Sequence, residues 1–288
     1  FRERFRENDR ILKLLFMRMR RKEKSVNQNK KKRYPFLYLI EPLALRWGLS
    51  IIIQLIVIAF VGIEKAENYL METTILVSLI TILVFGKIYQ REWENEEASC
   101  RKKNRLAGKD ILAIVICGVC ICISLNSLIM RSGITQYSET YQTTSQSIYG
   151  ASVFIQLSGV AFLAPVAEEL VYRGMLYRRM RNMLPVWMSI LGSAIIFGVN
   201  HGNIVQFVFA FITGAVMAYL YEIYRSLKAS VLFHVVLNMT SLICTWLNVF
   251  SVLLEHPYLW IVTIFCLILF AIITIWYFVT IYSQNVNE

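Results

Sequence analysis

Residues Ile111 to Met130 read ILAIVICGVCICISLNSLIM, twenty positions without a single charged side chain. At 1.5 Å per residue a helix of that length is about 30 Å long, the thickness of a bilayer's hydrocarbon core. Seven further apolar runs of comparable character flank it: Leu45 to Ile63, Thr74 to Ile88, Ala151 to Tyr172, Pro185 to His201, Ile204 to Tyr224, Ala229 to Leu254 and Tyr258 to Tyr282. The second and fifth runs in chain order are the shortest. The expected fold class is therefore all-α, a polytopic transmembrane helical bundle of about eight spans. Composition agrees, since 57% of the 288 residues are hydrophobic and mean hydropathy is +0.52, above the roughly 45–50% apolar content of soluble domains.

Charge orients the bundle. The net charge is +11, but fourteen of the thirty Lys and Arg residues precede Pro35. All thirty alternate from loop to loop: fifteen up to Arg46, one at Lys65, seven from Lys87 to Lys109, one at Arg131, four from Arg173 to Arg181, then Arg225 and Lys228. With eight spans, twenty-eight of the thirty fall on one side, which the positive-inside rule assigns to the cytoplasm together with both termini. The localisation expected is a multi-pass protein of a cell membrane, bacterial by preference. The arm Phe1 to Arg33 mixes its basic residues with Phe5, Ile11, Leu12, Leu14, Leu15, Phe16 and Met17, as a surface-lying amphipathic helix does, so anionic lipid is its expected partner. No recognition motif supports nucleic acid. The charged opening has neither an apolar h-region nor a small-residue cleavage site, so no signal peptide is visible; the sequence starts at Phe1, and the natural start is expected upstream.

Cys117, Cys120, Cys122, Cys244 and Cys266 lie inside apolar runs and only Cys100 in a polar loop, so packing is expected of them, not disulfides or a metal set. The chain then divides into a basic arm (1–43), three accessory spans with their loops (44–150), a core of four spans (151–254), and a last span with a tail (255–288).

That core concentrates the ionisable groups. One such group near the centre of a span costs about 2.5–3.5 kcal/mol on insertion scales, so those that persist usually face a cavity and work there. Glu168, Glu169 and Arg173 form an E-E-x-x-x-R cluster. On a helix Glu169 and Arg173 pair at i,i+4, while Glu168 points about 100° away and is free to act. Phe197 and His201 form a second cluster, His234 and Asn238 a third. A helical hairpin turning near Met183 brings Glu168 level with Gly198 and within a turn of His201. With Arg178, Arg179 and Arg181 as a protruding tip, the site is expected to open toward the cytoplasm. Taken singly, each cluster has a plain structural reading: a stabilising ion pair, an interhelical hydrogen bond, and, for Gly214 and Ala218, close helix packing. His256 reads as an exposed turn residue. Two histidines together with Glu168 and Asn238 favour chemistry.

E-E-x-x-x-R, F-x-x-x-H and H-x-x-x-N, in this order, resemble the motifs of the CAAX protease and bacteriocin-processing family of intramembrane proteases, also called the abortive-infection or CAAX prenyl protease type II-like family. The resemblance covers roughly Ala151 to Asn248, with Tyr172 standing where the family commonly has Phe. It implies that Glu168 and His201 activate a water, that His234 and Asn238 stabilise the oxyanion, and that Glu169 and Arg173 hold the first helix. The substrate expected is a peptide or protein at the membrane. No cofactor is expected; a zinc ion on Glu168, His201 and His234 is the alternative. On the same scaffold, the alternative function is non-catalytic bacteriocin self-immunity or the regulation of a partner membrane protein.

Overall fold

The computed structural model describes residues 35–96 and 106–281. The basic arm, Cys100 and the tail after Ile281 lie outside them. Among the described residues there is no strand, and seven helices are long and apolar enough to cross a membrane. They form a multi-pass helical bundle.

The first helix, α1 (Pro35–Val61), begins ten residues before the apolar run that announced it. Proline suits a helix start because its missing N–H has no partner there in any case. Short turns at Ile63–Ala66 and Glu67–Tyr69 lead into α2 (Leu70–Glu96). The run of Ile111 to Met130 lies within α3 (Gly108–Arg131). Asp110 accepts a hydrogen bond from the Ala107 N–H at 2.7 Å, a negative charge at the positive end of the helix dipole. Gly133, at φ 74°, then takes the left-handed conformation that turns the chain after Arg131. A short polar helix, α4 (Glu139–Gly150), precedes the long α5 (Val153–Arg181). After it come α6 (Val186–Val199), α7 (Ile204–Tyr224), α8 (Leu227–Trp246), the short α9 (Val249–Glu255) and α10 (Pro257–Ile281).

Two of the expected spans come out differently. The short second run belongs to a helical stretch of 30 residues, Ile63–Glu92. The fifth is a helix of only 14 residues, about 21 Å long and below the length of a membrane crossing. It lies against α7 instead: the Gly198 Cα faces the Phe207 carbonyl so closely that a Cβ there would stand 3.1 Å from the oxygen. The chain turns at His201 inside the bundle rather than beyond it.

The core is built where α3, α5, α7 and α8 meet, with Ile114, Val171, Met217 and Phe233 all fully enclosed. Cys117, Cys120, Cys122, Cys244 and Cys266 are free and buried, as packing residues are. Gly118 admits Val236 of α8 so closely that a Cβ would stand 2.7 Å from its side chain.

Arg178 and Arg179, expected in a protruding tip, are buried instead. Arg179 is 4% exposed. It donates to the Tyr38 carbonyl at 2.6 Å and to Glu92 at 2.7 Å, pairs with Glu41 at 3.3 Å, and packs its guanidinium over the Tyr38 ring. The Tyr38 carbonyl is available because Pro42, four residues on, has no N–H to give it. Arg181 and Arg225 both pair with Glu222, which also accepts from the Tyr177 hydroxyl at 2.7 Å. Buried charges of this kind need all their partners. Arg179→Met should therefore destabilise the folded protein by about 3 kcal/mol, measurable as a lower midpoint of unfolding in detergent micelles.

Candidate active site

Helix α5 is not a uniform α-helix. Two π-helical stretches, Gln156–Leu163 and Leu170–Tyr177, flank six α-helical residues, Ala164–Glu169, that hold both glutamates. Such widened turns are rare and gather at functional sites. The cause of the first is Pro165. The Ala164 N–H reaches five residues back to Gly159, and in that register the Val160 carbonyl would pair with residue 165, which has no N–H. Asn238 of α8 fills the vacancy, donating its Nδ2 to the Val160 carbonyl at 2.7 Å.

Glu169 and Arg173 form the expected i,i+4 pair at 2.6 Å, with both side chains 0% exposed. The pair does not stand alone. Arg173 Nη2 donates to the Gly214 carbonyl of α7 at 3.0 Å, and His234 Nδ1 lies 3.1 Å from the same Glu169 oxygen. A carboxylate can only accept there, so His234 Nδ1 carries the proton and Nε2 turns away from Glu169. Gly214 is more than a packing residue, because a Cβ on it would stand 3.2 Å from Arg173 Nη2 and 3.0 Å from the Phe197 ring.

Phe197 is the platform of the site. The Arg173 guanidinium sits 4.4 Å from its ring centroid, and the rings of His201 and His234 meet it edge-on at 5.0 and 5.8 Å. Its carbonyl takes a hydrogen bond from His201 Nδ1 at 2.9 Å. That fixes the His201 tautomer and leaves Nε2 with a lone pair.

Glu168 projects away from the Glu169 pair, as the 100° separation of neighbours requires. Its Oε2 lies 3.8 Å from His234 Nε2, too far for a direct hydrogen bond. Its Oε1 accepts from Arg46 Nη2 at 3.2 Å. Arg46 belongs to α1, whose Trp47 also donates to the Asn200 side chain at 2.7 Å, beside His201. Sequence reading placed Arg46 at the cytoplasmic edge of the first span. Because α1 starts at Pro35, Arg46 is in fact midway along a helix and reaches the site. A basic residue just inside an apolar run was the only signal of it.

Glu168, Phe197, His201, His234 and Asn238 all line one cavity of about 480 Å³. Its other walls come from α4 and from the ends of α2, α3, α7 and α8 remote from the arginine tip. The lining does not reach that tip, contrary to the expected opening there; the ion pairs of Arg179 with Glu92 and of Arg181 with Glu222 occupy that end. Among the described residues no three His, Cys, Asp or Glu side chains are grouped to hold an ion, and a guanidinium already occupies Glu168 Oε1.

No curated protein and no solved structure matches the chain. Residues 150–240 match the family described as Type II CAAX prenyl endopeptidase Rce1-like. That segment, about a third of the chain, contains both glutamates, Arg173, Phe197, both site histidines and Asn238, and over it the chain is similar to the CAAX protease family.

Proposed function

We propose that the protein hydrolyses a peptide bond in a membrane-proximal segment, with Glu168 as the base that activates water. The observation that carries this reading is the convergence of Glu168, His201 and His234 on one cavity wall, each histidine tied back through Nδ1. With Arg46 on Oε1, the oxygen of Glu168 left for water is Oε2. A water bonded to it can also reach His234 Nε2 or the lone pair of His201 Nε2. As the water oxygen attacks the scissile carbonyl, its proton passes to this pair of bases. The carbonyl oxygen becomes an oxyanion, and the proton is returned to the leaving amine when the C–N bond breaks.

Donors for the oxyanion come from α8. An asparagine amide has two N–H groups; Asn238 gives one to Val160 and lines the cavity with the rest of its side chain. His234, held by its Nδ1 bond to Glu169, supplies the other from Nε2 once that nitrogen has taken up the proton released by the water. Donors held in place in this way act more strongly in a water-poor site than in solution. No step requires a metal ion. The same reading places the basic loops and both termini in the cytoplasm, and the arm Phe1 to Arg33 on anionic lipid.

Mapping of new protein termini in cells that carry matched membrane levels of wild type and Glu168→Gln tests the central step. A small set of termini should vanish with the variant, and in purified protein its cleavage rate should fall by about 10²–10⁴-fold with unchanged thermal stability. A phenotype that persists while no terminus changes would favour the non-catalytic reading, self-immunity or partner regulation. Chelators should leave the wild-type rate unaltered. Asn238→Ala should cost both turnover and stability, the latter by about 1–3 kcal/mol because the Val160 carbonyl loses its donor; a loss of turnover alone would show that Val160 needs no cap.

A further inference from the structure

The cavity extends from the middle of the bundle, where Glu168, Thr213 and His234 line it, toward one end. Its wall includes Thr74 near the start of α2, Thr143 in α4, Val160 in the first half of α5, Gln206 at the start of α7 and Ser241 in the second half of α8. Every one of these is on the side of the loops that carry almost no basic residue. Arg178, Arg179, Arg181, Arg225 and Lys228 are all at the other end, which the Arg179 and Glu222 clusters occupy. A bundle with one basic end and one hollow end has a direction, and basic loops stay in the cytoplasm.

We propose that the cavity receives its substrate from the non-cytoplasmic face of the membrane, past α4, and that the segment it accepts there is uncharged. This rests on the protease reading for what happens at Glu168, but not for the direction of entry. Helix α4 suits such a role. Glu139 is its one charged residue, and its Thr143, Thr144 and Ser147 hydroxyls each donate to the carbonyl four residues back, at 3.1, 2.8 and 3.0 Å. Burial, with Tyr149 nearby, pushes the Tyr141 phenol up, so that it stays neutral. The helix is anchored to the core at its C-terminal end, where Thr245 donates to the Tyr149 hydroxyl at 3.1 Å and Gln156 Nε2 to the Ala151 carbonyl at 2.7 Å.

Among the described residues that line the cavity, Glu168 is the only carboxylate and none is Lys or Arg. A charged substrate side chain drawn in from water would lose hydration without gaining a counter-ion, except at the glutamate itself. Neutral side chains enter at no such cost.

Labelling on intact cells tests the direction without any need for turnover, so its failure and failure of the protease reading are separate results. Thr143→Cys, Ser241→Cys and Lys228→Cys would each be made in a chain lacking Cys100 and exposed to a membrane-impermeant thiol reagent. Thr143→Cys and Ser241→Cys should react in intact cells, and Lys228→Cys only after permeabilisation. The opposite pattern, or a Ser241→Cys that reacts in neither state while the other two do as expected, would overturn entry from this face. A capped decapeptide of Ala, Leu and Thr added outside should slow the Ser241→Cys reaction severalfold, whereas one carrying two Glu should not. Equal protection by both would overturn the preference for an uncharged segment.

Discussion

A guanidinium and a carboxylate, both withdrawn completely from solvent at the middle of a membrane helix, set the terms for everything around them. Arg173 and Glu169 could not remain charged there without each other, since the desolvation of either ion alone amounts to several kcal/mol. Their mutual bond is not enough. The guanidinium also needs the Gly214 carbonyl and the face of Phe197, and the carboxylate needs His234. Four helices are therefore brought to one point by the requirements of a single ion pair. The geometry that satisfies them also sets the ring of His234, the platform under His201 and the direction in which Glu168 points.

Proline acts twice in the same manner. Pro42 in α1 and Pro165 in α5 each remove a backbone N–H and leave a carbonyl without its partner, Tyr38 in one case and Val160 in the other. In hydrocarbon such a carbonyl has no water to turn to. Arg179 serves the first and Asn238 the second. The first arrangement locks α5 to α1 at the basic end; the second locks α5 to α8 beside the cavity. A defect in one helix thus becomes an attachment point for another, and the π-helical stretch Gln156–Leu163 of α5 follows from the second.

The relation of the basic end to the cavity illustrates the limit of charge counting. Arg178, Arg179 and Arg181 read in sequence as a solvated tip, because three arginines in four residues ordinarily seek water. Their acidic partners lie elsewhere in the chain: Glu41 and Glu92 for Arg179, Glu222 for Arg181, separated by 138, 87 and 41 residues. Only the tertiary structure reveals that the charges neutralise one another at that end.

The sequence by itself determined the helical membrane fold, since runs such as Ile111 to Met130 have no other stable solution, and it determined the i,i+4 pair of Glu169 with Arg173, because that contact needs nothing beyond a helix. It also singled out Glu168, His201, His234 and Asn238, whose residue types are too costly in an apolar run to be incidental. What only the tertiary structure decided were the contacts between distant segments: Arg46 on Glu168, Asn238 on Val160, the shortness of α6 that keeps His201 inside the bundle, and the face on which the cavity lies. Periodicity and local spacing report on one helix at a time, whereas these features depend on depth and rotation of one helix against another, which packing alone sets.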